Sequence, residues 1–250
     1  MRAGRRAFTL VELLVVIGII ALLISILLPV LKAAKASAQA VQCQSNQRQL
    51  MMAFLMFAHE HKGHLPGNFV DYDQTDPEKR SWLLNSGEPY TNAPQGGTIF
   101  KYVKGNYKVY LCPTERDVVI YNAGVGSNGR FDYAAFGVFT GALINRIAKQ
   151  SKLTDGAGKT VAVLPTPVIC DEEPYHGING GNIEGLHNSV DRIAQVHKKG
   201  GYYATLDGSV HWVREPPGGA YNWFTRAGSG KEVTLGTPGY SIRWGWWNDQ

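Results

Sequence analysis

Carboxylates and imidazoles are concentrated in one stretch of this 250-residue chain, and such side chains hold metals and transfer protons. The stretch runs from residue 171 to residue 211 and includes Asp171, Glu172, Glu173, His176, His187, Asp191, His197, Asp207 and His211. The chain has neither His-Glu-x-x-His nor Cys-x-x-Cys spacing, so zinc is poorly supported. The simpler interpretation is hydrogen-bonded histidines, with His197 bonding near the Asp207 turn.

Catalytic and nucleotide-binding patterns elsewhere in the chain are incomplete. Ser189, Asp191 and His197 have the residue types of a hydrolase triad, but no Gly-x-Ser-x-Gly turn presents the serine. A Gly-x-Gly-x-x-Gly run at 124–129 lacks the helix and the downstream acidic residue that dinucleotide binding needs. We therefore expect no catalytic activity, and a membrane-anchored hydrolase is the third-ranked interpretation.

The chain has three cysteines, Cys43, Cys112 and Cys170, which allow three different single disulfides. Oxidation requires that they lie across a membrane from the cytoplasm. Cys43 falls in a predicted helix and Cys112 at the start of a predicted loop, so a disulfide between these two is preferred. The sequence alone leaves the pairing open.

Tryptophans follow one another closely at the end of the chain, at Trp244, Trp246 and Trp247. Aromatic faces can stack on a sugar ring, which would make this tail a carbohydrate-binding platform. They can equally cover an open sheet edge. We favour this structural interpretation.

The scaffold that must position these residues begins with an apolar N-terminal segment. Residues 13–31 contain no charged side chain, and about 20 apolar residues are enough for a helix to cross a bilayer. Arg2, Arg5 and Arg6 precede the segment, which predicts a cytoplasmic N-terminus and a head across the membrane. This excludes a simple cytosolic enzyme. These arginines carry three of the charges behind the net charge of +5. The remaining lysines and arginines form no stripe with interleaved aromatics beyond the short Lys198-Lys199 pair, so nucleic-acid binding is poorly supported.

The helical pattern continues beyond the apolar segment. Apolar residues at spacings of three and four run to Ala58, and Gly63 with Pro66 ends the pattern. We predict one helix over 9–61, about 80 Å long and kinked at Pro29. Its first half would span the membrane, and its amphipathic second half would pack on a globular head.

Strand signals dominate the remainder of the chain. Its 29 glycines and 12 prolines favour turns and strands over a helical bundle. The clearest element is a hairpin of strands 201–206 and 209–213 around Asp207-Gly208, predicted as a type I′ turn. Other predicted strands lie at 98–103, 107–112, 118–121, 160–164 and 168–170. The predicted fold class is α+β, with a long kinked helix packed on an antiparallel β-sheet head.

Three interpretations fit the N-terminal segment. Small residues at 36–40 resemble a secretory cleavage site, but the apolar run is longer than a signal core, and Lys32 and Lys35 intervene. An ordinary signal anchor leaves Glu12 unexplained, because a carboxylate near the bilayer is unfavourable. The third interpretation comes from residues 7–17, AFTLVELLVVI, which resemble the signal of type IV prepilins and type II secretion pseudopilins.

That resemblance implies roles for four positions. A membrane-embedded prepilin peptidase cuts between Ala7 and Phe8 and methylates the new amine, although this family usually has glycine where Ala7 stands. Glu12 then pairs with the terminal amine of an adjacent subunit, and Pro29 stands where the family has its helix-kinking proline. The implied parts are a cytoplasmic leader at 1–7, a transmembrane helix at 8–31, an amphipathic helix at 32–62 and an extracytoplasmic pilin-like head at 63–250.

A second resemblance lies in the hairpin. His197, nine intervening residues and Asp207-Gly208 resemble the His-x9-Asp-Gly motif of a large bacterial prepilin-like family, and the resemblance assigns these residues no role. Residues 43–50 and 111–113 resemble other recurrent parts of that family. Because major pseudopilins commonly bind calcium in their head loops, the resemblance makes Ca²⁺ the metal to consider, second to the interpretation without a metal, and no cofactor is assigned. The candidate Ca²⁺ ligands are Asp171, Asp191 and Asp207.

The implied function is structural. The chain would be a subunit of the bacterial inner membrane, with a periplasmic head, that assembles through its helix into a type IV pilus or a type II secretion pseudopilus. Its partners would be prepilin peptidase, other pilin or pseudopilin subunits and the inner-membrane assembly platform. The alternative is a membrane-anchored extracytoplasmic protein that uses the prepilin export route and binds carbohydrate or Ca²⁺.

Overall fold

A computed structural model gives the architecture as one long N-terminal helix followed by β-structure, which confirms the predicted α+β class. The described residues are 9–67, 81–83, 93–114, 131–136, 139, 141–147, 149–154, 160–171, 186–187, 193, 196–214, 222–226 and 232–235. The predicted cleavage site at Ala7 and Phe8 and the predicted strand at 118–121 lie outside these residues.

Helix α1 runs over Leu10–Glu60 and confirms the predicted long helix. It begins with a capping box, in which the Thr9 hydroxyl accepts from the Glu12 N–H and the Glu12 carboxylate accepts from the Thr9 N–H. Such a cap is worth about 1 kcal/mol. The helix is continuous through Pro29 and ends shortly before Gly63, whose φ of 89° suits glycine.

The two halves of α1 have different surroundings. Residues 10–38 are all exposed, and the most apolar part of the helix has a mean hydropathy of 3.2 with no residue buried. By length and composition, α1 is the helix of the described chain that is able to cross a membrane. Burial begins at Cys43, whereas Val41 is 65 % exposed. The packed stripe therefore begins well beyond the membrane-length segment.

An aromatic core joins the second half of α1 to the head. Phe54 meets Trp82 edge to face with ring centroids 5.5 Å apart, and Trp82 stacks on Tyr110 at 5.8 Å. Such pairs add about 0.5–1.5 kcal/mol beyond the burial of their surface. The large buried side chains around them include Leu50, Met51, Phe57, Leu65, Leu83, Phe131, Tyr133, Phe136 and Tyr203. This core holds the helix on the head.

The strands of the described chain form two sheets. Their bounds are β1 Tyr133–Phe136, β2 Gln150–Thr154, β3 Thr160–Pro165, β4 Pro167–Asp171, β5 Leu186–His187, β6 Gly201–Thr205, β7 Val210–Val213, β8 Asn222–Arg226 and β9 Glu232–Leu235. The first sheet has the order β5-β1-β4-β6-β7 and the second the order β3-β2-β8-β9. Neighbouring strands are antiparallel, as predicted, except for the parallel pair β1 and β5.

Helix α1 packs on the first sheet, where it contacts β4, β6 and β7. Strand β4 is buried along its whole length, and β6 is buried at every residue except the half-buried Tyr202. The pairing of Cys170 with Tyr203 places the end of β4 beside the beginning of β6. This junction lies under α1 and positions the site described below.

Two predicted strands are wrong. Residues 98–103 form successive turns, in which the Tyr102 N–H donates to the carbonyl of Ile99. Residues Tyr107–Tyr110 form a 3₁₀ helix, and Asn106 caps its first turn. A short apolar run does not distinguish a strand from a helical turn, because both can bury one side against the core.

The β6–β7 hairpin is confirmed, but its turn is not type I′. A type I′ turn needs positive φ at both central residues, whereas Gly208, with a φ of 79°, is the turn residue with positive φ. The Gly208 N–H donates to the carbonyl of Thr205, and the Thr205 N–H donates to that of Ser209. This pattern is a three-residue connection that ends in a left-handed glycine, as in a G1 bulge.

The close packing at Gly200 predicts that Gly200→Ala destabilises the hairpin. An added Cβ would lie 2.4 Å from the Trp212 ring and 2.5 Å from the carbonyl oxygen of Val213. We expect a loss of about 1–3 kcal/mol, measured as a lower melting temperature of the full-length protein in detergent. Gly208→Asn is the matched control, because its Cβ meets only Met52 Sδ at 3.8 Å and asparagine tolerates positive φ. Equal melting temperatures for the two variants would contradict this prediction.

Candidate functional site

A buried cluster of four reactive side chains lies where α1 meets the first sheet. The Sγ atoms of Cys43 and Cys112 are 2.7 Å apart, and His197 Nε2 lies 3.3 Å from Cys112 Sγ. The same ring nitrogen lies 3.4 Å from Asp171 Oδ2. None of the four residues exposes more than 3 % of its surface. The cluster therefore brings two thiols, an imidazole and a carboxylate together away from solvent.

Helix α1 holds the chain on both sides of Cys112. Asn46 donates to the carbonyl of the preceding residue at 2.8 Å, and Gln39 donates to that of the following residue at 3.1 Å. The N–H of Cys112 donates to Asp132 Oδ2 at 2.7 Å. Together these bonds fix the peptide that carries Cys112 against the helix.

Asp171 receives hydrogen bonds from two elements and faces a third. Gln47 of α1 donates to Oδ1 at 2.9 Å, and the N–H of Tyr202 in β6 donates to Oδ2 at 2.9 Å. Burial raises the pKa of Asp171 to about 7, although the nearby His197 opposes this change. The charged form of this carboxyl group is therefore less favoured than that of an exposed aspartate.

The thiols and the imidazole also change each other's ionisation. The Cys112 thiol, followed by His197, lowers the pKa of the Cys43 thiol to about 5 against the effect of burial. Burial acts to lower the pKa of His197, but the hydrogen bond to Cys43 and the charge of Asp171 outweigh it and raise this pKa. In the reduced cluster, the imidazole therefore favours the thiolate form of Cys43, and the thiolate in turn favours the protonated form of His197.

The backbone after His197 is strained, and its surroundings hold it in place. Lys198 and Lys199 have φ values of 55° and 64°, which cost of order 1–3 kcal/mol each. His197 and Gly200 exchange two backbone hydrogen bonds across this turn, and Trp212 Nε1 donates to the carbonyl of His197 at 2.8 Å. These contacts hold the imidazole against the two sulfurs.

Cys43, Cys112 and His197 form a group whose donor atoms all lie within 4.8 Å of one another, close enough to hold a metal ion. With Asp171, they match the ligand types of zinc. Two sulfurs bonded to one zinc ion at about 2.3 Å lie about 3.8 Å apart, which is farther than the 2.7 Å between these two. The geometry therefore fits direct contact between the sulfurs better than a shared zinc ion.

The Asp-Gly part of the His-x9-Asp-Gly motif lies at the opposite end of β6 from His197. Asp207 Oδ1 accepts from the Thr205 hydroxyl at 2.5 Å, and from the hydroxyl and N–H of Ser209 at 2.7 and 2.9 Å. These hydrogen bonds lower the pKa of Asp207 to about 2. Asp207 therefore stabilises the turn between β6 and β7. The His197 ring contacts Asp171 and not the Asp207 turn near which it was expected to bond. Asp171 and Asp207 therefore do not share a site.

The other predicted residues lie away from the cluster or outside the described chain. Glu12 is at the exposed start of α1, and Pro29 lies within its exposed apolar half. The residues outside the described chain are Ala7, Phe8, Glu172, Glu173, His176, Ser189, Asp191, Trp244, Trp246 and Trp247. Calcium binding, carbohydrate binding and the cleavage position therefore stay predictions.

Sequence reasoning missed Gln47, Asp132 and the pairing of His197 with Asp171. One available signal was the position of Gln47, four residues after Cys43 and thus on the same helix face. Asp132 and Asp171 had no comparable local signal, because their roles depend on which strands become neighbours.

A comparison with known families identifies the prokaryotic N-terminal methylation motif at residues 2–28. Searches of curated proteins and of solved structures find no match to the chain. The matched residues include the beginning of the exposed apolar half of α1. A methylation motif that leads into a long apolar helix confirms the resemblance to prepilins noted in the sequence.

The hydrogen bonds of Asp207 predict a pH-dependent effect of Asp207→Asn. Because the folded-state pKa is below its unfolded value of about 3.9, the carboxylate stabilises the fold above that value, and this is lost as the pH falls toward 2. We expect the variant to melt about 2–4 °C below wild type at pH 6, with the difference shrinking toward pH 2. Melting curves of the full-length protein across this range test this; a pH-independent difference would contradict it.

Proposed function

From the methylation motif and the long apolar helix, we propose that the chain is a structural prepilin-like subunit. The motif is that of a prepilin-type substrate processed by prepilin peptidase. The mature subunit assembles through α1 into a type IV pilus or a type II secretion pseudopilus. Its further partners are other pilin or pseudopilin subunits and the inner-membrane assembly platform. Its role is structural and not catalytic.

The proposed topology follows from charge and apolar length. The arginine-bearing leader, residues 1–7, stays in the cytoplasm and is removed. Residues 8–31 span the inner membrane, residues 32–62 continue the helix outside it, and the head, residues 63–250, lies in the periplasm. The exposed surface of α1 supports this division, because it extends over residues 10–38, beyond the about 20 residues that a bilayer covers. The additional turns are available to neighbouring subunits.

Glu12 is the residue proposed to join adjacent subunits. In the isolated chain, its carboxylate accepts from the Thr9 N–H at 2.9 Å and from the Thr9 hydroxyl at 2.8 Å. These bonds hold a negative charge at the positive end of α1, four residues after Phe8 in the sequence. The methylated amine of Phe8 on a neighbouring chain is a stronger partner than a hydroxyl, because opposite charges attract strongly away from water.

Processing predicts a defined N-terminus. We expect protein extracted from membranes to begin at Phe8 and to carry one additional methyl group, as measured by intact and N-terminal peptide mass. Deletion of the prepilin peptidase should leave Met1 in place. A mature chain that begins near residues 39–41 would contradict the proposal, because ordinary secretory cleavage would then have removed the polymerising helix.

The proposed role of Glu12 predicts that Glu12→Ala is processed normally but is lost from fibres. Without the carboxylate, the amine of the neighbouring chain stays unpaired near the membrane, which we expect to reduce incorporation at least about tenfold. The measurement is the amount of subunit in sheared or purified fibres relative to the membrane pool.

Glu60→Ala is the matched control for this experiment. Glu60 is the exposed glutamate at the other end of α1, where it bonds to Lys101 and Tyr102 of the head. This variant should be incorporated like wild type. Normal incorporation of Glu12→Ala would refute the role assigned to Glu12.

A further inference from the structure

We propose that Cys43 and Cys112 are joined by a disulfide that ties the extramembrane half of α1 to the head, and that His197 covers this bond. The disulfide goes beyond the proposed assembly function. It depends on that function in one respect, because an extracytoplasmic head lies in a compartment where disulfides persist.

The positions of the sulfurs carry this proposal. The two Sγ atoms are 2.7 Å apart although their residues are 69 positions apart in the sequence. A disulfide holds its sulfurs at about 2.0 Å, so a small movement of the side chains is enough to form it. Both flanks of Cys112 are already hydrogen-bonded to α1 through Asn46 and Gln39. The pair is therefore pre-positioned across the joint between helix and head.

The sheet argues against Cys170 as the partner of either cysteine. Cys170 precedes Asp171 in β4, and successive side chains of a strand point to opposite faces. Because the Asp171 carboxylate points into the cluster, the Cys170 side chain points away from it. Of the three pairings that the sequence allows, the fold favours Cys43 with Cys112.

Closing the bond removes two electrons from the thiol pair, so it needs an oxidant. A disulfide-bearing thiol oxidase outside the cytoplasm meets this need by exchange. One cysteine thiolate attacks the oxidant's disulfide and displaces one of its sulfurs. The other cysteine thiolate attacks the resulting mixed disulfide and displaces the second sulfur. The two protons lost by the cysteines are taken up by the two thiolates of the reduced oxidant.

His197 is the lid of this bond. Its Nε2 contacts Cys112 Sγ at 3.3 Å, and its ring packs against that of Tyr202 with centroids 4.7 Å apart. Asp171 and the strained turn through Lys198 and Lys199 keep the imidazole in place. With both sulfurs fully buried beneath it, a soluble reductant has no direct access. The histidine of the His-x9-Asp-Gly motif thereby acquires a structural role.

The pairing is tested on full-length protein whose membranes are dissolved in SDS in the presence of N-ethylmaleimide, because the three buried cysteines can be trapped only in the unfolded chain. Peptide mass mapping without reductant should show one trapped cysteine, Cys170, and a cross-linked peptide pair that joins Cys43 to Cys112. Cys170→Ser should keep that peptide pair, and Cys112→Ser should lose it. Three trapped cysteines, a bond to Cys170, or one zinc ion per chain by metal analysis would each overturn the proposal.

A parallel oxidation separates the pairing from the location of the head. The reduced full-length protein, purified in detergent, is treated with oxidised glutathione and mapped in the same way. A Cys43–Cys112 bond in this sample but not in membranes would refute the bond in the cell and contradict the proposed periplasmic head. Absence of the bond from both samples would refute the pairing itself and leave the assembly function untouched.

The lid is tested by the rate at which dithiothreitol reduces the native, oxidised protein. We expect His197→Ala to raise this rate about tenfold, because removing the ring opens a path to the sulfurs. His211→Ala, in β7, is the matched control and should keep the wild-type rate. His197→Phe, which restores the bulk, should reverse most of the increase. A wild-type rate in His197→Ala, or equal increases in the two alanine variants, would overturn the role of His197.

Discussion

The buried carboxylate of Asp171 imposes a requirement that the surrounding structure meets. Moving a carboxylate out of water is unfavourable unless hydrogen-bond donors replace the lost solvent. Those donors are Gln47 of α1 and the N–H of Tyr202 in β6, and His197 faces the same oxygen as Tyr202. Because these groups come from the helix, the sheet and the loop before β6, the three elements meet at this one carboxyl group. Polar contacts therefore specify how α1 docks, in addition to the apolar core.

Polar contacts matter here because one helix serves two environments. Residues 10–38 are exposed, and the charge-free part of this range, residues 13–31, is an apolar surface that suits lipid or neighbouring subunits, while the face from Cys43 onward is buried in the head. Apolar burial is non-directional, so by itself it would tolerate a shift of the helix along its axis. The bonds of Asn46 and Gln47 to the head do not tolerate such a shift, because each needs its acceptor within about 3 Å. They fix how far α1 projects from the head.

The helix and the hairpin were predictable because their signals are local. Thr9 and Glu12 mark the start of α1, and Asp207-Gly208 marks the turn between β6 and β7. The segment at 107–110 was predicted as a strand, because its apolar residues suit either a strand or a 3₁₀ turn until the partner surface is known. Local signals therefore fix the elements but not always their type.

The site was only partly predictable, because its members come from four separate segments. The sequence pointed to Cys43 with Cys112 and to His197 as part of a motif. It ranked Asp171 only as a metal candidate, since nothing local shows that the end of β4 lies beside the start of β6. That adjacency follows from the antiparallel pairing of Cys170 with Tyr203. Sheet topology therefore decides the partner of His197.

The spacing of the His-x9-Asp-Gly motif follows from the same topology. His197 through Gly200 form a tight turn, β6 then spans five residues, and Asp207 closes the next turn. An extra residue within β6 would send the following side chains to the opposite face and break the pairing of Tyr203 with His211. An extra residue before Tyr202 would also move the N–H of Tyr202 away from Asp171. The nine-residue interval therefore links the buried sulfur cluster to the exposed turn through the register of one strand.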